Sequence, residues 1–175
     1  IGLDVVYQGI QDLRGSLAIR STQGSGMTID IRLPASMTSL YCGLTELDTG
    51  WAAIASDSVE SFQLIEPYFC ELEGEHVYVT VDGERMPLLD LEALIGGMRP
   101  RIKIPEQTGV GVLVRSVPGE PQLGFLPKIN EMRTVIVKDF GPYLKTFPGV
   151  RGGTILGDGT VAPVIDAREL MRNTV

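Results

Sequence analysis

The sequence has few of the residues from which proteins build metal centres and nucleophilic sites. Its 175 residues include only two cysteines, Cys42 and Cys70, and one histidine, His76. Without a C-x-x-C pattern, a zinc site would lack ligands. A Cys/His nucleophile pair stays open, because such partners need only be close in space, beside the interpretation as inert thiols and a surface histidine. The acidic segment 71–76, "ELEGEH", predicts a charged turn around Gly74, with a cation site as the alternative.

Basic residues and long apolar runs are also scarce. The chain has 15 Lys and Arg against 22 Asp and Glu, for a net charge of −7. Nucleic-acid binding requires a clustered basic surplus, so that class of partner is excluded. No apolar run approaches the roughly 18 residues of a membrane helix, and no charged-then-apolar leader is present. We expect a cytoplasmic chain without direct membrane insertion and, since it starts at Ile1, a piece of a longer protein.

Glycine and proline, in contrast, are plentiful. The sequence contains 21 glycines and 11 prolines scattered along its length. This distribution is typical of many short strands joined by turns. With 43% hydrophobic residues, the chain can fill the core of one domain or of two small joined ones. The composition therefore predicts a mainly β fold.

A sequence repeat is the most informative internal feature. "DGERMPLLDLEALI" begins at Asp82 and "DGTVAPVIDARELM" begins at Asp158, and the two copies align without a gap. In each copy Asp-Gly predicts a tight hairpin turn before a strand. Asp90 and Asp166 then stand where a short helix begins, so we interpret them as N-caps rather than catalytic carboxylates. Glu169, three residues after Asp166, predicts a capping box.

The segments upstream of the two copies correspond as well. Both read as strand, turn and strand, and further strand candidates follow in each half. The sequence thus predicts two sibling subdomains, roughly 39–97 and 110–172, each with about five short strands and a terminal helix. Five short strands close most economically into a small barrel, which removes exposed edges. Such a barrel is filled by its own side chains, so we expect binding by the outer surface.

Residues 1–34 lie outside the repeat. An apolar helical stripe runs along "LDVVYQGIQDLRG" and ends at Gly15. Two alternating strands then flank Gly24-Ser25-Gly26 in "STQGSGMTIDIRLP". A phosphate cradle would need backbone N–H groups converging on an anion, usually at a helix N-terminus. The pattern instead predicts a hairpin turn, whose strand edges we expect to pack on the barrels or to pair with a second copy.

These segments together resemble CheA-type histidine kinases over essentially all 175 residues. Residues 1–34 resemble the end of the ATP-binding domain. The rest resembles the CheW-like regulatory domain, on the matching stretches "AAIASDSVES", "GERMPLLDLEAL", "RTVIVKDFG" and "GVRGGTILGDGTVAPVIDARELM". The resemblance implies two five-stranded SH3-like β-barrels in 35–175, preceded by an α/β ATPase fragment in 1–34. The last stretch is most similar to the hybrid kinases that control type IV pili and twitching motility.

The resemblance also implies a function in signal coupling. Such domains bind CheW-like adaptors, chemoreceptor tips and the remainder of the kinase. Position by position, the partner surface would include Val59, Ser61, Phe62 and Asp82, although Val59 and Phe62 also fit as core residues. The parent kinase would use ATP and Mg²⁺, whereas this chain would hold no catalytic, cofactor or metal residue. A free-standing adaptor and a self-sufficient nucleotide-binding enzyme are the alternatives.

Overall fold

The computed structural model describes residues 2–12, 15–24, 26–32, 37–100, 103–115, 120–139 and 147–172. The chain divides into two compact units, one extending to residue 36 and one beginning at Met37. Unit boundaries and sheet pairings below refer to these residues.

The first unit contains one helix and one antiparallel hairpin. Helix α1 spans Gly2–Asp12, and the hairpin joins β1 (Ser16–Thr22) to β2 (Gly26–Arg32). At the turn, Gly24 and Gly26 have φ of +82° and +97°, a region that glycine enters without the steric cost of other residues. The prediction of a hairpin turn in this glycine-rich segment is confirmed.

The second unit is mainly β, as predicted. Its strands and helices, in chain order, are β3 (Met37–Leu47), β4 (Gly50–Ala55), β5 (Ser61–Ile65), β6 (Cys70–Glu73), β7 (His76–Val81), β8 (Glu84–Asp90), α2 (Leu91–Ile95), β9 (Gly109–Arg115), β10 (Pro121–Leu126), β11 (Glu131–Lys138), β12 (Val150–Ile155), β13 (Val161–Ile165) and α3 (Ala167–Met171). Two short 3₁₀ turns, Ser56–Ser58 and Pro67–Phe69, flank β5.

Five of these strands form a closed barrel in the order β11-β12-β13-β4-β3. Neighbours are antiparallel, except that β13 and β4 run parallel with Val164 beside Ala53. Strand β3 is long enough to pair with β4 on one side and β11 on the other, which closes the ring. One of the two predicted five-stranded barrels is therefore confirmed.

The other strands form a six-stranded sheet in the order β5-β9-β10-β8-β7-β6, so the second predicted barrel is not confirmed. Strands β8 and β10 run parallel, with Leu88 beside Leu123. Each sheet contains strands from both segments, 39–97 and 110–172. The hairpin β3-β4 of the first segment joins β11, β12 and β13 in the barrel, and the hairpin β9-β10 of the second segment joins β5 to β8 in the six-stranded sheet. The repeat strands β8 and β13 thus each pair in parallel with the second strand of the exchanged hairpin.

Three apolar cores explain this exchange. Side chains alternate along β4, so Ala53 enters the barrel core while Ala52 and Ile54 enter a central core. On β10, Leu123 points into the core of the six-stranded sheet and Leu126 into the central core. Strands that are apolar on both faces must be covered on both faces. The central core consists of Leu47, Ala52, Ile54, Leu91, Val112, Val114, Leu126, Ile165, Ala167 and Met171.

The two repeat acids are helix caps, as predicted. Ala93 N–H donates to Asp90 Oδ1 at 3.0 Å, and Glu169 N–H donates to Asp166 Oδ1 at 2.9 Å. The predicted capping box at Glu169 is wrong: the backbone N–H of Asp166 donates to the Gly149 carbonyl at 2.7 Å and not to the Glu169 carboxylate. The caps start α2 and α3, both of which pack on the central core.

Candidate partner-binding surface

Three of the predicted partner residues lie together at the start of β5. Val59 follows the 3₁₀ turn Ser56–Ser58, and its side chain and that of Phe62 are half-buried against the central core. Ser61, which lies between them in the sequence, is also half-buried. Its Oγ accepts a hydrogen bond from Gln63 Nε2 at 2.9 Å. Val59 and Phe62 therefore contribute to the core and present only part of their surface.

The fourth predicted residue, Asp82, lies on the turn between β7 and β8. It is exposed and has φ of +52°, and Gly83 follows with φ of +81°. Val81 lies directly opposite Glu84, so the loop has two residues, which is the geometry that Asp-Gly favours in tight hairpins. The predicted Asp-Gly turn is therefore confirmed at this position.

Arg115, which no sequence pattern singled out, contacts acids next to both groups of predicted residues. Its guanidinium contacts Glu60 Oε2 through Nε at 3.1 Å and Glu84 Oε2 through Nη2 at 3.3 Å. The hydrogen bonds that the guanidinium donates to Glu84 and then to Glu60 raise the pKa of Arg115. Because Glu60 precedes Ser61 and Glu84 follows the Asp82 turn, all four predicted residues lie at one end of the six-stranded sheet.

A second arginine fixes the approach to β5. Arg151 Nη1 donates to Asp57 Oδ1 and Oδ2 at 2.7 and 2.8 Å, and its Nε donates to Asp166 Oδ2 at 3.0 Å. Partial burial opposes ionisation of Asp166. The hydrogen bonds that Asp166 accepts from the Glu169 N–H and the Arg151 guanidinium outweigh this effect of burial, so the pKa of Asp166 is lowered. One carboxylate thus caps α3 and shares a guanidinium with the 3₁₀ turn before Val59.

Ser58 makes a further link between the same 3₁₀ turn and α3. Its buried hydroxyl donates to the Ala55 carbonyl at 2.7 Å and accepts from the Ala167 N–H at 3.0 Å. The start of β5 is therefore anchored to the barrel's terminal helix by a hydroxyl and by an ion-paired carboxylate.

The two thiols lie away from any histidine partner. Cys42 and Cys70 are free and buried, and their Sγ atoms contact the carbonyl oxygens of Leu40 and Glu66. Burial, followed by the charge of Asp57, raises the pKa of Cys42 to about 11. Burial also raises the pKa of Cys70. Both thiols are held protonated at neutral pH, which is the opposite of the activation a nucleophilic thiol needs.

An open cavity among the described residues has charged groups at its wall. It has a volume of about 270 Å³ and is lined by Leu88, Leu89, Asp90, Glu92, Lys103, Ile104, Pro105, Glu106, Phe125 and Pro127. Asp90 caps α2, Glu92 Oε1 accepts from the Asp48 N–H at 2.8 Å, and Lys103 pairs with Glu106. These groups have structural partners rather than the mutual arrangement of an acid–base pair.

Neither a metal cluster nor a membrane span emerges from the part of the chain that the structure covers. Among the described residues, no three His, Cys, Asp or Glu side chains are grouped as metal ligands. The segment 71–76 forms the β6–β7 turn, with Gly74 at φ of +60° and Glu73 paired with Arg85. No described helix has the length and apolar character needed to cross a bilayer.

Comparison with known proteins identifies relatives of nearly the whole chain. The family of the CheW-like domain matches residues 43–175. "Chemotaxis protein CheA" of Salmonella typhimurium is 31% identical over 172 residues, covering 97% of this chain and 25% of that protein. The protein of the same name from Bacillus subtilis is 27% identical, covering 98% and 25%. The chain thus spans about a quarter of the length of these curated relatives.

A solved structure is also similar. The scaffolding protein TtCheW from Thermoanaerobacter tengcongensis aligns with a TM-score of 0.49 and 15% sequence identity. The alignment covers 79% of this chain and 92% of that one.

Proposed function

The chain belongs to the CheW-like domain family, and we propose that it is the regulatory domain of a CheA-type histidine kinase. In this role it binds CheW-like adaptors and chemoreceptor tips and passes the receptor's state to the kinase. The observation that carries the proposal is the extent of the similarity to proteins named CheA, which includes 97% of the chain and is not limited to the family domain at 43–175.

Residues 1–34 are assigned by the same proposal to the end of the kinase's ATP-binding domain. Under this proposal, the hairpin of β1 and β2 has a structural role and does not bind phosphate. ATP and Mg²⁺ would be bound by the preceding part of the cytoplasmic parent protein. We further propose a role in pilus-based motility, on the resemblance of the last stretch to the hybrid kinases that control type IV pili.

The partner surface in this proposal is the end of the six-stranded sheet that carries Val59, Ser61, Phe62 and Asp82. Its chemistry suits protein contacts, because half-buried apolar side chains lie beside exposed polar ones. Anchoring of the 3₁₀ turn Ser56–Ser58 to α3 supplies a physical route for coupling. A partner that favours one placement of this turn shifts the population of conformations that the kinase senses.

The proposal is tested by measuring binding of the chain to the CheW-like adaptor of its own organism. Replacing Ser61 by Lys and, separately, Asp82 by Asn is expected to raise the Kd by roughly tenfold, equivalent to about 1.4 kcal/mol. Asparagine tolerates the positive φ of position 82, so Asp82→Asn removes only the charge.

Asp158→Asn is the matched control for this experiment. Asp158 occupies the equivalent Asp-Gly position of the second repeat, and its Oδ1 accepts from the Thr160 N–H at 2.9 Å. An amide oxygen preserves that bond, and the Kd is expected to stay within about twofold of the unmodified chain's. Adaptor binding that ignores Ser61→Lys and Asp82→Asn would contradict the assigned surface, and absence of adaptor binding would contradict the function.

A further inference from the structure

Charge is distributed unevenly along the chain. Residues 33–84 include ten acidic residues and neither lysine nor arginine. Residues 85–175 include twelve basic and nine acidic residues. The acidic stretch supplies both outer strands of the six-stranded sheet, β5 and β6. Within these outer strands, β6 carries two glutamates and no basic residue, a local charge that favours a basic partner.

The six-stranded sheet is curled but open between those two outer strands. Within the described residues, β5 pairs with β9 alone and β6 pairs with β7 alone. Ile65 on β5 and Cys70 on β6 nevertheless belong to the same apolar core. Only Glu66 and the 3₁₀ turn Pro67–Phe69 connect the two strands. An edge strand of this kind is a template on which another extended chain can pair.

Apolar side chains are exposed on both outer strands and on the turn that connects them. Leu64 is 72% exposed, Tyr68 88%, Phe69 53% and Leu72 55%. Leu72 is the informative member, because it shares the core-facing side of β6 with buried Cys70 and lies opposite buried Val77. Its exposure shows that the apolar core continues to the edge and stops there uncovered.

The other face of β6 is acidic. Glu71 and Glu73 alternate with Cys70 and Leu72, so their side chains point to the outer face of the sheet. Glu73 pairs with Arg85, which also lies over the Tyr78 ring at 4.0 Å. Among the described residues, no cation pairs with Glu71. Two β6 strands from different copies would bring glutamates face to face, which disfavours self-pairing and selects a basic partner.

We propose that β6 is a docking edge for an extended segment of a partner protein whose residues alternate between apolar and Lys or Arg. The segment adds to the sheet as a seventh strand. Its apolar residues lie beside Leu72 and cover the core, and its basic residues lie opposite Glu71 and Glu73. Alternation is required because successive side chains of a strand point to opposite faces. The segment pairs along β6, whereas the surface proposed above is the end of the sheet that carries Ser61 and Asp82.

The test uses a fluorescent peptide of alternating valine and lysine and measures its anisotropy with the full chain. Binding is expected, with the affinity falling as salt rises. A peptide of the same composition with its valines in one block, and an alternating peptide with N-methyl groups on its ladder amides, are each expected to bind roughly tenfold more weakly. The peptide with its valines in one block tests whether alternation is needed, and the N-methylated peptide tests whether the backbone pairs as a strand.

Two chain variants complete the test. Glu71→Lys is expected to weaken binding of the alternating peptide by roughly tenfold. Glu120, an exposed acid just before β10, provides the control, and Glu120→Lys is expected to weaken binding by less than about twofold. Equal binding of all three peptides, no binding of the alternating one, or equal effects of the two variants would overturn the proposal. A dimer of the chain that the peptide dissociates would assign the edge to a second copy and would also overturn it.

Discussion

The barrel and the six-stranded sheet share the central core and exchange hairpins, yet only the barrel closes. Closure depends on β3, which pairs with β11 through residues 37–44 and with β4 through residues 42–47. In the six-stranded sheet the corresponding outer strands have five and four residues and are joined by a short connector. A barrel has no edge to offer a partner, whereas the open sheet has two. We therefore look for binding on the sheet and for rigidity in the barrel.

Removing a side chain from the shared core is expected to have the largest effect and to test whether the two sheets are separable. Ile54 on β4 is fully buried in the central core. Ile54→Ala is expected to lower the free energy of unfolding by about 2–5 kcal/mol, through lost burial and the cavity left behind. Urea unfolding followed by Trp51 fluorescence, which reports on the barrel, and by far-ultraviolet circular dichroism should give coincident transitions.

Ile155→Ala is the control for Ile54→Ala. Ile155 lies on the outside of the barrel and is 68% exposed. Its replacement is expected to change the free energy of unfolding by no more than about 0.5 kcal/mol. Two separate transitions, or an equal effect of the two variants, would show that the barrel and the sheet do not depend on a common core.

A glycine inside the sheet allows one region to be perturbed alone. A Cβ at Gly111 on β9 would lie 2.7 Å from Ile65 Cγ1 and 2.7 Å from Leu123 Cδ2, both of which are buried side chains. Gly111→Ala is expected to cost about 1–3 kcal/mol, because the packed neighbours must move. Amide exchange should accelerate more in the sheet than in the barrel.

Gly157→Ala provides the comparison for Gly111→Ala. A Cβ at Gly157 has nothing within 4 Å, so steric cost is absent and the free energy of unfolding should change by less than about 1 kcal/mol. Equal acceleration of exchange in both regions by Gly111→Ala would mean that strain spreads through the central core.

The ion pairs of Arg151 connect the two regions and should show a pH dependence. Arg151→Gln leaves the carboxylates of Asp57 and Asp166 without their guanidinium. We expect a loss of about 1–2 kcal/mol, since charged hydrogen bonds are lost at a partly exposed site. The pKa of Asp166 is lowered in the folded state. Its contribution is therefore complete above the unfolded value of about 3.9 and is lost as the pH falls through the folded value.

Urea titrations of both proteins near pH 7 and near pH 3 measure this contribution. The difference in unfolding free energy between the original chain and Arg151→Gln should shrink at the lower pH. Asp166→Asn separates charge from geometry, because an amide oxygen can still accept from the Glu169 N–H. A difference that is constant with pH would show that Arg151 acts through packing instead of charge.

Local features of this fold follow from the sequence, and distant pairings do not. The Asp90 and Asp166 caps and the Asp82-Gly83 turn depend on groups within about four residues, so their patterns suffice. The hairpin exchange brings Val164 beside Ala53. Because the strands involved are apolar on both faces, alternation gives no clue to which strand pairs with which.

The candidate site shows the same division between local and distant information. The turn at Asp82 is visible in the sequence. Arg115 and Arg151 reach partners 55 and 94 residues away, and an isolated arginine at a strand end has no local signature of its partner. The most useful available hint was the absence of any basic residue from 33 to 84, which requires the acids there to find distant cations or remain exposed.

Thiol labelling gives the smallest expected effect and the most direct comparison of a closed and an open sheet. Cys42 lies in the barrel and is fully buried, and Cys70 lies on edge strand β6 and is 7% exposed. Because burial raises both pKa values, modification requires local opening to expose the thiolate. The single-thiol variants Cys42→Ala and Cys70→Ala assign each rate.

We expect iodoacetamide to modify Cys70 several-fold faster, a difference of about 1 kcal/mol in opening free energy, because a four-residue edge strand opens without breaking a closed ladder. Equal rates, or faster modification of Cys42, would show that the barrel opens as readily as the sheet. Closure of the ladder would then not account for where this domain is rigid.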